Sequence, residues 1–280
     1  MNKIFLLSVL FVSNFVFSCH CLTFEEAKKT AIKENKFIVL EYGYEFNYYQ
    51  SELISIQTTN EIEKKIKYDY VYLCSQDQNF YAKYIKKYNL LSYQKLLIID
   101  ANGYLVFKFD KENEDQILAV LQNLTIPKNH FQKDFENFAA KKTFSTAFRI
   151  SQHFLDLSLL TDNYLKDGLI AISKEYFAIA QKKVKKVDIE NYSKKLELFE
   201  LVLLAHEYKF EDVDKKLGDL VLNNQDATNL NVLYFLKYTV SKALKKQDLT
   251  LLEDEIKTIM DFDYFKNKSD LLLSRFESKI

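Results

Sequence analysis

The spacing of apolar residues changes near residue 127 and divides the chain into two regions. Before that point, short continuous apolar runs stand between segments in which apolar residues recur every three or four positions. Such runs are typical of buried strands, and the wider spacing predicts amphipathic helices. From Phe131 to Ile280 every segment has the helical spacing alone. The pattern therefore predicts an α/β unit followed by an all-α helical unit.

In the first region the apolar pattern predicts secondary-structure elements in the order helix, strand, helix, strand, helix, strand, strand, helix. Thr23 and Glu26 form a capping box at the start of the first helix, which should end near Asn35. Ala101-Asn102-Gly103 has the chemistry of a hairpin turn between the last two strands. The predicted strands are 37–42, 70–74, 96–99 and 104–109. After the first helix, two helices are predicted to begin near residues 47 and 59, and two more are predicted over 79–88 and 114–124.

In the second region, Pro127 interrupts the chain and residues 128–130 have the composition of a linker. Helical hairpins are expected to begin near Thr146, Asp188 and Thr228, with Asp188, Thr228 and Asp248 as candidate N-caps. Hairpins repeated in this way fit either a repeat solenoid or a compact bundle. The sequence does not choose between these two arrangements.

Composition favours a helix-rich protein and argues against a nucleic-acid partner. The chain contains only one proline and four glycines, residues on which tight-turned all-β folds depend. Its 39 basic and 39 acidic side chains cancel, so no long-range field attracts nucleic acid or an anionic membrane. The sequence has no Ser-His-Asp grouping, HExxH motif, phosphate loop or dinucleotide fingerprint. We therefore expect no catalytic residue, no cofactor and no metal ion.

Residues 1–18 have the organisation of a secretion signal. Lys3 provides the positive charge, and residues 4–17 form an apolar run shorter than the roughly 20 residues that span a bilayer. The residues before Cys19 fit ordinary cleavage, and with Cys19 they also resemble a bacterial lipoprotein box in which Cys19 would be lipidated. We expect an exported protein, either soluble in the periplasm or anchored as a lipoprotein facing it. Lipidation of Cys19 would be its only attachment to the membrane.

Residues 23–125 resemble the thioredoxin-like family, in particular its exported bacterial type, in element order and in local motifs. Asn47 and Gln50 stand at the spacing of the family's active-site Cys-x-x-Cys, and Phe46 stands where the preceding tryptophan usually lies. Gln94 occupies the place of the family's cis-proline, and we expect a trans bond there because a cis bond before a non-proline residue costs about 3–4 kcal/mol. The resemblance implies a thioredoxin-like domain over 22–126 and an α-helical domain over 127–280.

The same resemblance implies that redox activity has been lost. Chemistry in this family requires a thiolate that attacks a disulfide and a second thiol that resolves the intermediate. The amides of Asn47 and Gln50 can do neither. Asparagine is nevertheless a good helix N-cap, so Asn47 is expected to keep the helix that follows it.

We expect the inherited groove to act as a binding surface, because tyrosine offers a broad contact area with a polar tip. The alternative is that these rings simply pack, since the chain contains 19 tyrosines. The predicted function is a redox-inactive protein-binding or scaffold component of the bacterial cell envelope, with a protein partner of unknown identity. The predicted groove consists of Phe46, Asn47, Tyr48, Tyr49, Gln50, Tyr93 and Gln94.

The competing interpretation is a thiol–disulfide oxidoreductase that uses Cys21 and Cys74. The chain has three cysteines, and disulfides persist in exported proteins. Cys74 lies in a predicted strand, where a cysteine is normally a buried and unreactive small apolar residue.

Overall fold

The computed structural model describes most of the chain after residue 21. The described residues are 22–42, 60–75, 78–90, 96–109, 114–124, 131–185, 188–220, 227–247, 249–259 and 261–277. A small mixed sheet of four strands lies in the N-terminal region, and every secondary-structure element described in the C-terminal region is a helix. This agrees with the predicted α/β unit followed by a helical unit.

Each strand and helix predicted within the described part of the N-terminal region is present, with ends shifted by at most one residue. The strands are β1 (Phe37–Tyr42), β2 (Tyr70–Ser75), β3 (Leu96–Ile99) and β4 (Leu105–Lys108). The helices of this region are α1 (Phe24–Glu34), α2 (Asn60–Asp69), α3 (Gln78–Tyr88) and α4 (Glu114–Asn123). The helix predicted from Asn47 lies outside the described residues.

The helical region contains α5 (Gln132–Ala140), α6 (Phe144–Leu160), α7 (Asn163–Lys183), α8 (Ile189–His206), α9 (Phe210–Asp219), α10 (Ala227–Ala243), α11 (Leu249–Ile259) and α12 (Phe262–Glu277). Asp188 precedes α8 as predicted, although its side chain makes no capping hydrogen bond. Thr228 falls within the first turn of α10 rather than before it, and Asp248 is outside the described residues.

The strands are arranged in the order β2-β1-β3-β4. β1 and β2 are parallel, whereas β3 is antiparallel to both of its neighbours. All four residues of β3 are buried, as expected for a continuous apolar run in the middle of a sheet. The register places Ile38 beside Ile99 and Glu41 beside Leu96. The end of β1 and the start of β3 therefore lie together at one end of the sheet.

Local sequence signals explain where α1 begins and ends. The Thr23 hydroxyl accepts a hydrogen bond from the Glu26 amide at 3.2 Å, and the Glu26 carboxylate accepts one from the Thr23 amide at 2.8 Å. This reciprocal pair is the predicted capping box. Asn35 ends the helix in the left-handed conformation, which asparagine tolerates better than most residues. The chain then turns directly into β1.

Tyr70 ties the start of β2 to the end of α4. Its ring is buried, and its hydroxyl lies 2.9 Å from the carbonyl oxygen of Leu121 and 2.5 Å from that of Leu124. Leu121 lies in the last turn of α4 and Leu124 directly follows the helix, where no helical amide is available to bond their carbonyls. The tyrosine hydroxyl therefore caps the helix and fixes its end against the sheet.

Helix α7 covers the edge strand β4 at unusually close range. A Cβ atom built at Gly168 would lie 2.4 Å from the carbonyl oxygen of Val106 in β4. Only a glycine permits the helix backbone to approach the strand in this way. The covering also protects an edge that would otherwise expose unpaired backbone groups.

The helical region is a compact bundle, because its last helix returns to its beginning. α12 packs against α6 as well as against α10 and α11. Lys268 of α12 forms an ion pair with Asp156 of α6 at 2.6 Å. In a solenoid each repeat would touch only its neighbours. The contact between α12 and α6 therefore decides between the two arrangements that the sequence left open.

The sheet and the helical region share one apolar core across residue 127. Phe37 at the start of β1 stacks on Phe154 of α6, with ring centroids 6.2 Å apart. The side-chain amide of Gln132 donates to the carbonyl oxygen of Lys33 near the end of α1, at 3.2 Å. The buried residues of both regions form a single continuous cluster. The described residues before and after residue 127 therefore contribute to one core, and the predicted boundary itself lies outside the described residues.

Candidate functional site

The groove predicted from the sequence lies outside the described residues. This applies to Phe46, Asn47, Tyr48, Tyr49, Gln50, Tyr93 and Gln94, to the peptide bond before Gln94, and to the lipidation candidate Cys19. The expected roles of these residues remain predictions. The described strands nevertheless show where the two groove segments are attached to the sheet.

Both groove segments begin from neighbouring points on the sheet. The segment that contains Asn47 follows Tyr42 at the end of β1, and the segment that contains Gln94 precedes Leu96 at the start of β3. Glu41 and Leu96 are partners in the antiparallel pairing of these two strands. The carboxyl ends of the parallel strands β1 and β2 meet at the same place, which is where open α/β sheets commonly bind ligands.

A buried acidic residue, Glu41, lies near this end of β1. Glu41 is only 4% exposed and accepts a hydrogen bond from the hydroxyl of Tyr72 on β2. An acidic residue in the middle of an apolar strand requires such a partner, because an unpaired buried charge is very costly. Glu41 and Tyr72 thus form a buried polar pair near the end of β1, with only Tyr42 between Glu41 and the segment that contains Asn47.

Cys74 lies in β2 as predicted, beside Glu41 in the parallel pairing. Its side chain and all of Cys21 are outside what the structure describes. The pairing of Cys21 with Cys74 therefore remains a prediction of the competing interpretation.

A second polar site joins the sheet to the helical region, and we call it the Asp100–Tyr176 junction. It consists of the Asp100–Tyr104 turn after β3 and of Tyr176 on α7. Asp100 is completely buried and accepts hydrogen bonds at Oδ1 from the backbone amides of Asn102 at 2.9 Å and Tyr104 at 2.8 Å. The Tyr176 hydroxyl donates to its other oxygen, Oδ2, and accepts from Nδ2 of Asn102 at 3.1 Å.

The turn in this junction has the predicted hairpin chemistry. The Gly103 amide donates to the carbonyl oxygen of Asp100 at 3.0 Å, and Gly103 has a φ of 81°. That left-handed conformation favours glycine. A Cβ atom at this position would also lie 3.0 Å from the ring of Phe24. Gly103 therefore fulfils both a conformational and a packing requirement.

Lys87 of α3 holds the other side of the turn. Its ammonium group donates to the carbonyl oxygen of Gly103 at 2.5 Å, and the Tyr88 hydroxyl donates to the same oxygen at 2.8 Å. The same ammonium lies 4.7 Å from the ring centroid of Tyr88 and 5.5 Å from that of Tyr84. These are cation–π distances. The loss of hydration in this setting lowers the pKa of Lys87, although nearby Asp100 partly opposes the shift.

Burial controls the protonation of the junction. Desolvation raises the pKa of Asp100 to about 6, and the hydrogen bonds from Tyr104, Tyr176 and Asn102 oppose the rise. Desolvation also raises the pKa of Tyr176 and, to a smaller extent, that of Glu175 one residue before it. The phenol of Tyr176 therefore stays protonated and acts as a donor at neutral pH.

A third polar group lies inside the helical region, where Ser158 of α6 meets His206 of α8. The Ser158 hydroxyl donates to the carbonyl oxygen of Leu155 at 2.6 Å, and its oxygen is 3.2 Å from Nδ1 of His206. Desolvation lowers the pKa of His206, so its imidazole is neutral. Because the serine hydrogen is already used, Nδ1 of His206 must carry a hydrogen and donate to Ser158.

That direction of hydrogen bonding is the reverse of what a nucleophile and its base require. Both Ser158 and His206 are also almost completely buried. Their contact was not predicted, because nothing in the sequence links residues 48 positions apart. Across the described ranges, no cluster of His, Cys, Asp and Glu side chains could hold a metal ion. The Ser158–His206 pair is best explained as a hydrogen bond that satisfies buried polar atoms.

Comparison with known protein families, with curated proteins and with solved structures finds no match for this chain. Among the described residues, no helix is both long enough and apolar enough to cross a bilayer.

Proposed function

We propose that this chain is an exported, redox-inactive thioredoxin-like protein that binds a protein partner in the bacterial cell envelope. The observation that carries the proposal is the arrangement of the sheet. The parallel pair β1–β2, followed by the antiparallel hairpin β3–β4 and the closing helix α4, is the order that the resemblance implies. This order supports a thioredoxin-like assignment for the N-terminal unit.

The loss of redox chemistry rests on the sequence at the head of the predicted active-site helix. Asn47 and Gln50 stand where the family carries its two cysteines, and amides cannot exchange disulfides. What the proposal retains from the family is the groove as a contact surface. The adjacency of Glu41 and Leu96 supports this, because it starts both groove segments at one end of the sheet.

Protein binding is favoured over small-molecule chemistry by the residue types around Asn47. Phe46, Tyr48 and Tyr49 are aromatic, and aromatic residues are enriched at the centres of protein interfaces. The described sheet is closely packed, with β3 buried and α7 covering the edge strand β4. A closely packed sheet would lower the entropic cost of binding at a surface attached to it.

An insulin-reduction assay on the purified chain tests the redox part of the proposal. We expect no turnover above the uncatalysed background. Turnover that is abolished by Cys74→Ala would refute the proposal and establish the competing oxidoreductase. The double mutant Cys21→Ala/Cys74→Ala serves as the reference for background reduction.

Capture of partners from a native envelope extract tests the binding part. We expect the double substitution Tyr48→Ser/Tyr49→Ser to reduce capture of a specific protein at least ten-fold, as loss of interface tyrosines commonly does. Tyr68→Ser is the matched control, because Tyr68 is 67% exposed and lies just before β2 rather than in the groove segments. Equal capture by the folded double variant and the wild type would remove the groove from the proposal.

A further inference from the structure

We propose that a second copy of this chain binds the exposed face formed by α6, the start of α7 and α12, so that the protein is a dimer with two-fold symmetry. We call this face the α6–α12 patch, and its apolar members are Leu160, Tyr164, Tyr264 and Leu271. The inference goes beyond the proposed function, because it uses none of the groove residues and would stand if the groove bound nothing.

Exposed apolar side chains are concentrated in this patch. Seven large apolar side chains of the described residues are exposed to solvent, and four of them belong to the patch. Leu160 is 65% exposed and Leu271 is 43% exposed. The other three, Tyr68, Ile189 and Leu251, are on three different helices. Single exposed apolar residues are common on protein surfaces, whereas a contiguous group of them indicates an interaction surface.

Two ion pairs show how α6 and α12 lie relative to each other in the patch. Nζ of Lys268 on α12 is 2.6 Å from Oδ1 of Asp156 on α6. Nη1 of Arg275 on α12 is 3.9 Å from Oδ1 of Asp162, two residues after the end of α6. The residue numbers on both helices increase from the first ion pair to the second. The two helices therefore run side by side in the same direction.

Leu160 and Leu271 lie between these ion pairs at nearly the same height. Leu160 is four residues after Asp156 and Leu271 is three residues after Lys268, so each shares a helix face with the charge that precedes it. At 1.5 Å per residue, the two leucines are roughly 6 Å and 4.5 Å beyond the first ion pair. Tyr264, four residues before Lys268, extends the same face of α12.

Tyr164 continues the patch at the start of α7. Nδ2 of Asn123 donates to Oδ2 of Asp162 at 2.8 Å and to the hydroxyl of Tyr164 at 3.1 Å. Asp162 is also the acid of the second ion pair. The four apolar side chains and the four charges therefore belong to one continuous surface.

The pattern of this surface is complementary to itself. A two-fold axis that runs parallel to α6 and α12, above the line where they meet, places α6 of each copy opposite α12 of the other without changing their heights. Apolar residues then meet apolar residues and acids meet bases. The three kinds of contact are Leu160 with Leu271, Asp156 with Lys268, and Asp162 with Arg275.

The exposure of the acids allows them to take part in these contacts. The side chains of Asp156 and Asp162 remain 55% and 48% exposed within their ion pairs. A carboxylate has several lone pairs, so each can also accept from a cation of the second copy.

The mixture of charges favours a second copy over other partners. A partner with charge of one sign, such as an anionic membrane, would be repelled by half of the charged groups in the patch. The surface that matches the patch repeats its acids, bases and leucines at the same spacing. This chain itself carries that surface.

Sedimentation velocity of the purified chain without its predicted signal tests the association, at concentrations from about 1 to about 200 μM. A thiol reductant in the buffer excludes dimers linked through any of the three cysteines. We expect a dimer that dissociates in this range. Leu160→Asp and Leu271→Asp should each raise the Kd at least about ten-fold, because each places an unpaired charge within the interface.

Leu251→Asp is the matched control for these variants. Leu251 is 77% exposed on α11, outside the patch, so the same change of chemistry should leave the Kd within about two-fold of the wild-type value. Circular dichroism should show unchanged helix content in all three variants, since each of the replaced leucines is exposed.

A charge exchange tests the two-fold arrangement itself. Asp156→Lys/Lys268→Asp keeps an ion pair within each copy and, in a dimer of two variant copies, also keeps acid opposite base. In a mixed dimer with the wild type, position 156 of each copy faces a charge of the same sign at position 268 of the other. We expect the variant to dimerise like the wild type but to form mixed dimers about five-fold less often than random exchange gives. Native mass spectrometry of an isotope-labelled mixture measures this ratio.

Three results would each overturn the proposal. They are a wild-type chain that is monomeric at about 200 μM, a dimer that neither Leu160→Asp nor Leu271→Asp weakens, and random exchange between the charge-exchanged variant and the wild type. If the monomeric chain instead captured a different protein and lost it on Leu160→Asp, the patch would belong to that partner and the second copy would be refuted.

Discussion

Replacing Gly168 by alanine tests whether α7 really lies directly on the edge of the sheet. The new Cβ would be 2.4 Å from the Val106 carbonyl oxygen, about 1 Å closer than an ordinary contact. The clash is with backbone, so no side chain can turn away to relieve it. Helix and strand must separate, and overpacking of this kind costs about 1–3 kcal/mol.

The magnitude must be set against the opposite effect of the same substitution on the helix. Gly168 lies inside α7, where alanine is intrinsically better than glycine by about 1 kcal/mol. Without a clash the variant would therefore be more stable than the wild type. With the clash the net change should lie between no effect and a loss of about 2 kcal/mol, so a gain in stability would contradict the clash.

Gly218→Ala provides the matched control. Gly218 is also in a helix, α9, but a Cβ atom there would meet nothing within 4 Å. We expect this variant to be as stable as the wild type or slightly more stable. Urea unfolding followed by circular dichroism measures both variants under identical conditions. The close packing of α7 on β4 would be refuted if Gly168→Ala were as stable as Gly218→Ala.

The capping box, the Tyr70 contacts and His206 give three further predictions. Thr23→Ala removes the N-cap of α1 and should lower the free energy of unfolding by about 1 kcal/mol, whereas Thr23→Ser should restore most of it. Tyr70→Phe leaves the carbonyls of Leu121 and Leu124 without their buried donor and should cost about 1–3 kcal/mol; unchanged urea midpoints would contradict this. Burial lowers the pKa of His206, so the stability that its neutral imidazole contributes is fully present above about pH 6.5 and is lost as the pH falls. An imidazole NMR titration with a midpoint at or above about 6.5 would contradict this assignment.

The sequence predicted the elements of the sheet unit well because each carries a local signal. The continuous run at β3 and the Asp100–Gly103 turn are determined by residues that are neighbours in the chain. Thr228 was predicted to be an N-cap but is the second residue of α10, because a threonine within the first turn resembles an N-cap in sequence. Local patterns therefore located the elements to within one or two residues.

Contacts between distant segments left no comparable signal. The Ala101-Asn102-Gly103 turn was recognised from the sequence, but nothing there paired the preceding Asp100 with Tyr176. The close approach of α7 to β4 depends on Gly168, and a lone glycine inside a helical pattern is compatible with many explanations. Whether the helical region was a solenoid or a bundle depended on the return of α12 to α6, which is likewise a long-range contact.

The predicted groove and the Asp100–Tyr176 junction are attached at opposite ends of β3. Leu96 begins the strand beside Glu41, at the end from which the groove segments start, and Asp100 follows its last residue. At about 3.3 Å per residue, this separates the groove end of the strand from the junction by more than 10 Å. Phe37, which packs on the helical region, also lies at the junction end. A substitution at the junction should therefore disturb the packing of the helical region on the sheet before it disturbs the groove end, because β1 and β3 remain paired between the two.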